Sequence, residues 1–286
     1  LLRAPHSILI SDTIFEGESP SITYKLRGVV RAFLELETAS KEAHSGTTGG
    51  AAINPLEVIT RAILSCKSPD GKILIPEFYD DVIPLTEEEK KYTLEAAAHF
   101  DILAFKRDTG LNELSSPSPE ELITRIWHSP TLEMHGFEGV QTAHGVIKTS
   151  ITNKVVGKIT MRLVPRQDPE KLLVLLQNHV RKTHPNIVVR GGGSAACVTP
   201  IENAYTALAR DACAFGFGKP AVFVAGGGSI GSIPPFQKMF PNIPVVMIAQ
   251  SLLSDGYHAP NENFRFSQAE NGLNTMAFYL SNLAQK

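Results

Sequence analysis

Val155-Val-Gly-Lys-Ile-Thr-Met-Arg-Leu-Val164 is followed by Asp168-Pro169 and then by Leu172, Leu173, Leu176 and Val180. In the first stretch Ile159, Met161 and Leu163 fall on one side of an extended chain, and Lys158, Thr160 and Arg162 on the other. That alternation predicts a half-buried strand. Asp168 and Pro169 are a cap residue and a first-turn proline, and the leucines after them recur at helical spacing. A strand feeding a one-sided helix predicts a sheet with helices on one face. Working outward, residues Ser21 to Glu37 also alternate, and Asn54-Pro55 opens a helix on which Leu56, Ile59, Ile63 and Leu64 are regularly spaced. Strand, helix, strand, then strand, helix, strand is the pattern of an α+β sandwich. Between its halves, Thr86 to Ala104 reads as an exposed charged helix, Asp108 to Pro119 as a surface loop and Glu120 to Trp127 as a short helix.

The flanks read differently. Ser7-Ile-Leu-Ile10 is a short apolar strand that runs into Ser11-Asp12-Thr13. Gly191-Gly-Gly-Ser194 marks a boundary, after which come a helix (Ile201 to Phe215), an apolar strand (Ala221 to Ala225) and the glycine loop Gly226-Gly-Gly-Ser-Ile-Gly-Ser-Ile-Pro234. A second apolar strand (Val245 to Ala249), the turn-rich stretch Ser254-Asp-Gly-Tyr-His-Ala-Pro-Asn-Glu262 and a last helix (Asn271 to Leu283) complete the chain. Apolar strands alternating with helices predict an α/β domain with a parallel sheet. The expected organisation is an α/β domain of residues 1–21 and 195–286 interrupted by an inserted α+β domain of residues 22–194. Two or three strands are few for a covered sheet, so the α/β domain is expected to be N-terminally incomplete.

The 286 residues carry a formal net charge of -2, with 43% hydrophobic and 20% charged residues. That balance argues against broad binding to nucleic acid or anionic membrane, and no apolar run reaches the roughly 18 residues of a membrane span. Cys66, Cys197 and Cys213 are odd in number and widely spaced, the pattern of reduced thiols in a cytoplasmic protein rather than of a disulfide framework or thiolate metal site.

Chemistry-bearing residues collect at the turns. His258 follows an apolar strand, and Asp12 lies at the end of another. Should both strands share a sheet, carboxylate and imidazole emerge on one edge, a pairing that suits a divalent metal. Asp12 could equally cap a turn. His44 sits in Ser45-Gly-Thr-Thr-Gly-Gly50, where it could donate to a developing oxyanion or be a plain turn residue. Arg162 is either a carboxylate fork or a surface ion-pair partner. The glycine loop, with Ser229 and Ser232, could cradle an anion, but it lacks the Gly-Lys-Ser/Thr of a nucleotide loop.

Taken in order, Ile10-Ser-Asp-Thr13, Tyr24-Lys-Leu-Arg-Gly28, His44-Ser-Gly-x-x-Gly-Gly50, His135-Gly-Phe-Glu-Gly139, Met161-Arg-Leu-Val-Pro165, Gly228-Ser-Ile…Ser232-Ile-Pro234 and Asp255-Gly-Tyr-His-x-x-Asn-Glu262 resemble the aminoacylase/carnosinase family of di-metal peptidases. The nearest branch is that of the nonspecific dipeptidases and carnosinases. The resemblance implies a zinc-peptidase-like α/β catalytic domain with an inserted ferredoxin-like α+β lid that forms a homodimer. It implies two divalent ions, zinc or manganese, and a small peptide substrate, with no nucleic-acid or membrane partner. Asp12 and His258 become metal ligands, and His44 the stabiliser of the tetrahedral intermediate, with Thr149 beside it. Arg162 and a loop serine, Ser232 in preference to Ser229, hold the substrate carboxylate. The expected reaction is metal-assisted hydrolysis of a dipeptide or related amide.

The sequence departs from the family pattern in four places, one of them the absence, around Ala195-Ala-Cys197, of a tryptophan often found after the lid. The expected His-x-Asp ligand, bridging Asp and Glu-Glu pair belong before Ile8, where nothing supplies them, so the chain alone is expected to be inactive. Glu42-Ala43 stands before His44 where an acidic residue often opens the motif, and Ala225-Gly226 stands where Arg-Glu commonly precedes the glycine loop. The alternative is a non-catalytic dimerising or regulatory homologue. A metal-free hydrolase using Ser229 or Ser232 has no Gly-x-Ser-x-Gly elbow behind it.

Overall fold

The structure, a computed structural model, describes residues 5–284. In chain order it contains β1 (Ile8–Ile14), β2 (Ser21–Leu26), β3 (Gly28–Glu37), β4 (Ala43–His44), α1 (Ser45–Thr48), α2 (Pro55–Leu64), α3 (Glu87–His99), α4 (Ile102–Thr109), α5 (Pro119–His128) and β5 (Thr131–Glu138). There follow β6 (Ser150–Ile151), β7 (Lys154–Leu163), α6 (Pro169–Val180), β8 (Val188–Ser194), β9 (Cys197–Val198), α7 (Ala204–Phe217), β10 (Val222–Gly226), α8 (Ile233–Met239), β11 (Val245–Ser251) and α9 (Phe266–Leu283). The chain divides into two compact units. One comprises the residues up to Arg27, Pro84–Ser129 and those from Cys197 on; the other is Gly28–Ile83 with Pro130–Ala196.

The second unit is built on an antiparallel sheet of order β5-β7-β3-β8. Its element sequence β3-α2-β5-β7-α6-β8 is the split βαβ arrangement of ferredoxin-like domains. Along β7 buried and half-buried positions alternate without interruption, because one sheet face meets α2 and α6. Val30, Leu34, Ile159, Met161 and Leu163 from the sheet pack with Ile59 and Ile63 of α2 and Leu172 and Leu176 of α6 in one continuous core. Both helices start on the expected caps. The Asn54 side chain accepts from Leu56 N at 3.0 Å, and that of Asp168 from Lys171 N at 2.8 Å.

The first unit holds a mixed sheet of order β1-β11-β2-β10, with β9 on β2. β1 pairs parallel with β11 and β2 with β10, whereas β2 lies antiparallel to β11 and β9. The expected all-parallel sheet is thus corrected, because β2 enters this sheet rather than the insertion. The alternating run Ser21 to Glu37 is two strands that part at Arg27-Gly28. A Cβ on Gly28 would come within 2.6 Å of Ser194 O and Ala196 N, so the turn requires glycine.

Residues 22–27 and 84–129 therefore fall outside the insertion as the sequence bounded it. Ala96 of α3 and Ile123 and Trp127 of α5 pack with Tyr24, Val224 and Ala225 of the mixed sheet. α3 carries a capping box in which Thr86 and Glu89 satisfy each other's backbone amides. The helix read as Thr86 to Ala104 breaks at Phe100-Asp101, where Asp101 caps a new helix, α4. Gly191–Ser194, read as a boundary, belongs to β8, and a short helix, α8, closes the glycine loop. The outer ends of segments 1–21 and 195–286, residues 1–4 and 285–286, lie outside the described residues. Among the described residues no helix is long and apolar enough to cross a membrane.

Candidate active-site residues

The candidate residues divide between the units: Asp12, Ser229, Ser232 and His258 belong to the first, His44, Thr149 and Arg162 to the second. In the first unit, β1 and β11 run parallel, so the chain leaves both on the same sheet edge. Asp12 is not the end of a three-residue strand, since β1 continues to Ile14 and Phe15 N donates to Ser251 O at 2.8 Å. It lies instead in a bulge. Ile10 faces Met247 and Thr13 faces Ala249, so Ser11 and Asp12 oppose the single residue Ile248. Both bulged residues are exposed.

His258 is exposed on the loop after β11, with φ 63°, in the left-handed region that side-chain-bearing residues rarely adopt. The loop is closed at its base by Asp255. Its carboxylate Oδ2 accepts from Leu252 N at 2.8 Å, and its carbonyl accepts from Asn263 N at 2.9 Å. Asp255 is only 3% exposed, and its Oδ1 has no hydrogen-bond partner.

In the glycine loop the two serines differ. The Ser229 hydroxyl donates to the Arg27 carbonyl, which ties it into the fold. Ser232 is exposed immediately before α8, and its side chain makes no capping bond.

In the second unit, His44 ends β4, which pairs with β6 through Ala43–Ile151 and His44–Ser150. Gly46 N donates to His44 Nδ1 at 3.0 Å. The neutral ring therefore carries its proton on Nε2, which leaves an exposed N–H donor in a fixed tautomer. Thr149 adjoins the same turn: its carbonyl accepts from Ser45 N at 3.0 Å and from Ser45 Oγ at 3.1 Å. Glu42, noted in sequence only as a displaced acid, binds Lys148 Nζ and, at 3.0 Å, Ser150 Oγ. Those bonds, that of Lys148 first, hold its carboxyl below the usual carboxylate range. Glu42 thereby fastens the His44 strand to the segment bearing Thr149.

Arg162 lies mid-strand in β7, opposite Val29 of β3 and Thr131 of β5. It is half-buried, and burial followed by the charge of Arg31 presses its pKa down. Arg31 faces Thr160, two residues from Arg162 on the same polar face. Two guanidinium groups on one face form a surface that favours an anion. Arg31 could have been read from the same alternation that exposes Arg162. Arg27 and Asp255 carry no periodic signal.

As metal donors, Asp12 and His258 are of the right chemical type, but a catalytic zinc takes three protein ligands. Among the described residues no group of three His, Cys, Asp or Glu side chains is gathered.

The βαββαβ insertion in an α/β unit is the architecture of a two-domain peptidase subunit. Residues 24–188 match the family model of the M20 peptidase dimerisation domain, and the chain belongs to the M20 peptidase family. It is 32% identical to the Cys-Gly metallodipeptidase of Saccharomyces cerevisiae, over 96% of this chain and 58% of that protein. It is 28% identical to the human Beta-Ala-His dipeptidase, over 97% of this chain and 56% of that one. The solved structure of the Saccharomyces cerevisiae di-peptidase Dug1p superposes with a TM-score of 0.88 at 31% identity, covering 98% of this chain and 59% of that one. The chain thus spans somewhat over half the length of each of these relatives.

Proposed function

We propose that this chain is the lid-bearing part of a metal-dependent dipeptidase, acting on dipeptides or related amides as a homodimer in the cytoplasm. Its relatives supply the reaction class, since two are named dipeptidases that act on Cys-Gly and Beta-Ala-His. The observation that carries the chemistry is His44, an exposed imidazole whose Nδ1 is occupied by Gly46 N–H and whose Nε2–H is therefore a donor. Such a donor stabilises the oxyanion of a tetrahedral intermediate. Asp12 and His258 would hold divalent metal, zinc or manganese, with further donors from outside the described residues. When bound, such metal polarises the scissile carbonyl and acidifies a water. Arg162, with Arg31 beside it, is suited by its charge to hold a carboxylate, and the Ser232 hydroxyl of the glycine loop is a separate candidate for that role, while Thr149 shares the His44 turn. Three free, buried cysteines support a reducing compartment, and the dimerisation-domain match supports the homodimer.

The test is zinc binding by equilibrium dialysis, paired with hydrolysis of Cys-Gly and β-Ala-His at saturating metal. Asp12→Ala and His258→Ala are expected to abolish zinc binding. His44→Ala is expected to leave binding intact and to lower kcat by about a hundredfold or more. Zinc binding untouched by the first two variants sinks the ligand assignment. One observation favours a second reading, a non-catalytic dimerising homologue: the described residues gather no third metal donor. A stable dimer that takes up no zinc and cleaves neither dipeptide would establish it.

A further inference from the structure

Arg27 is buried, at 9% exposure, where β2 ends. Its guanidinium is shared between two segments far apart in sequence. Nε donates to Gly227 O at 3.0 Å in the glycine loop, and one terminal nitrogen donates to Ser129 O at 3.1 Å and to Arg125 O at 3.4 Å. Arg125 O is among the last carbonyls of α5, which find no partner inside the helix, and a cation at that end also complements the helix dipole. The bonding is reciprocal, because the Arg27 carbonyl accepts the Ser229 hydroxyl. Gly227 sits tightly against the end of α5: a Cβ there would come within 2.8 Å of Ile126 Cγ2 and 3.1 Å of Ile126 O.

The loop is thereby fastened at Gly227 and Ser229, and again at Ile233, which is fully buried and whose N–H donates to Ile230 O at 3.2 Å. Between the last two anchors Gly231 and Ser232 are exposed, and Ser232 is the one that carries a side-chain hydroxyl. We infer that Arg27 is a positioning residue that sets the glycine loop, and Ser232 within it, against the end of α5. Its contribution to carboxylate recognition is then made through the loop. This rests on the reading of the loop as a carboxylate holder. The three acceptors lie in two segments, so the fork of an arginine serves them and the single ammonium of a lysine does not.

The experiment uses the full chain with zinc present and two probes, glycylglycine and glycylglycinamide, which differ in the carboxylate alone. Binding is measured by calorimetry, and amide hydrogen exchange is followed over residues 226–233 and 125–129. The wild type is expected to prefer the acid. Arg27→Lys is expected to shrink that preference by about tenfold, the scale of one lost bond to a charged group, to speed exchange in both segments together, and to lower the thermal midpoint. Ser229→Ala, which removes the bond to the Arg27 carbonyl, is expected to move preference and loop exchange in the same direction by less. It keeps the test open should Arg27→Lys fold poorly. A wild type that prefers the acid and variants that keep both the preference and the loop protection overturn the role of Arg27 alone. A wild type indifferent to the carboxylate overturns the reading of the loop, and the role of Arg27 with it.

Discussion

The two units reach stability by different means. In the βαββαβ unit a single apolar core runs from β3 through α2 and α6 to Ile187, and the strands alternate cleanly between that core and a polar face. In the mixed-sheet unit the apolar groups are separate: one lies under α7 and α9, one under α3 and α5, others around Ile233 and Phe15. Between them run buried polar ties. Lys25, 4% exposed, pairs with Glu89 at 2.5 Å. His128 Nε2 meets Thr93 Oγ1 at 2.9 Å, and Thr199 Oγ1 donates to Val245 O at 2.7 Å. Hydrophobic pattern specifies the βαββαβ unit, whereas the mixed-sheet unit depends on a few hydrogen bonds whose loss is not shared among neighbours.

The largest effect that sharpens this contrast is expected in the core of the βαββαβ unit. Leu34→Ala removes a side chain with no exposure and should cost about 3–5 kcal/mol in urea denaturation, the range of a cavity that cannot collapse. A loss under about 1 kcal/mol, the scale of a typical point substitution, would mean that this core is not close-packed. Next comes the polar tie. Lys25→Met should cost about 2–3 kcal/mol by leaving Glu89 without its partner, less than a fully enclosed pair because Glu89 keeps some solvent. Adding Glu89→Leu should recover most of it, and a double variant as unstable as the single one would break the assignment of the cost to an unpaired charge.

The smallest effect is expected in the pH profile of the mixed-sheet unit. Burial, then the charge of Lys25, holds His128 down at about 4, while burial pushes Glu16 up to about 7. Between about pH 4 and 6.5 the unfolded chain takes up a proton on His128 that the folded chain refuses, so this residue makes stability rise with pH. Between about pH 4.5 and 7 the folded chain keeps a proton on Glu16 that the unfolded chain releases, so that residue makes stability fall with pH. The two slopes oppose each other. Denaturation midpoints across this window should be nearly flat for wild type, fall with pH in His128→Asn and rise with pH in Glu16→Gln. Parallel profiles in all three would show that neither group is held as the geometry implies.

The same difference between the units decides what was legible in the sequence. The β7 alternation, the Asn54-Pro55 and Asp168-Pro169 helix starts and the apolar faces of α2 and α6 could be read because each is a local repeat facing one core. The helices of residues 84–129 could not be assigned, since an apolar stripe such as Ile123 and Trp127 does not say which sheet it meets. Nor could the break at Arg27-Gly28, because two strands of different sheets alternate alike. Within the candidate site, His44, Arg162 and His258 stood out by residue type and turn context. Glu42, Arg27 and Asp255 did not, because their partners lie in other segments: Lys148 for Glu42, Gly227 and Ser129 for Arg27, and Asn263 for Asp255.

The left-handed backbone at His258 has an evolutionary consequence. An L-residue held there carries a conformational penalty of about 1–2 kcal/mol that glycine escapes and asparagine partly escapes. Selection for thermal robustness alone would drift toward those residues and erase the imidazole. With His258 read as a metal ligand, as proposed, the position is one where folding and ligand binding pull against each other, and an effort to stabilise this protein by consensus or screening should leave it fixed.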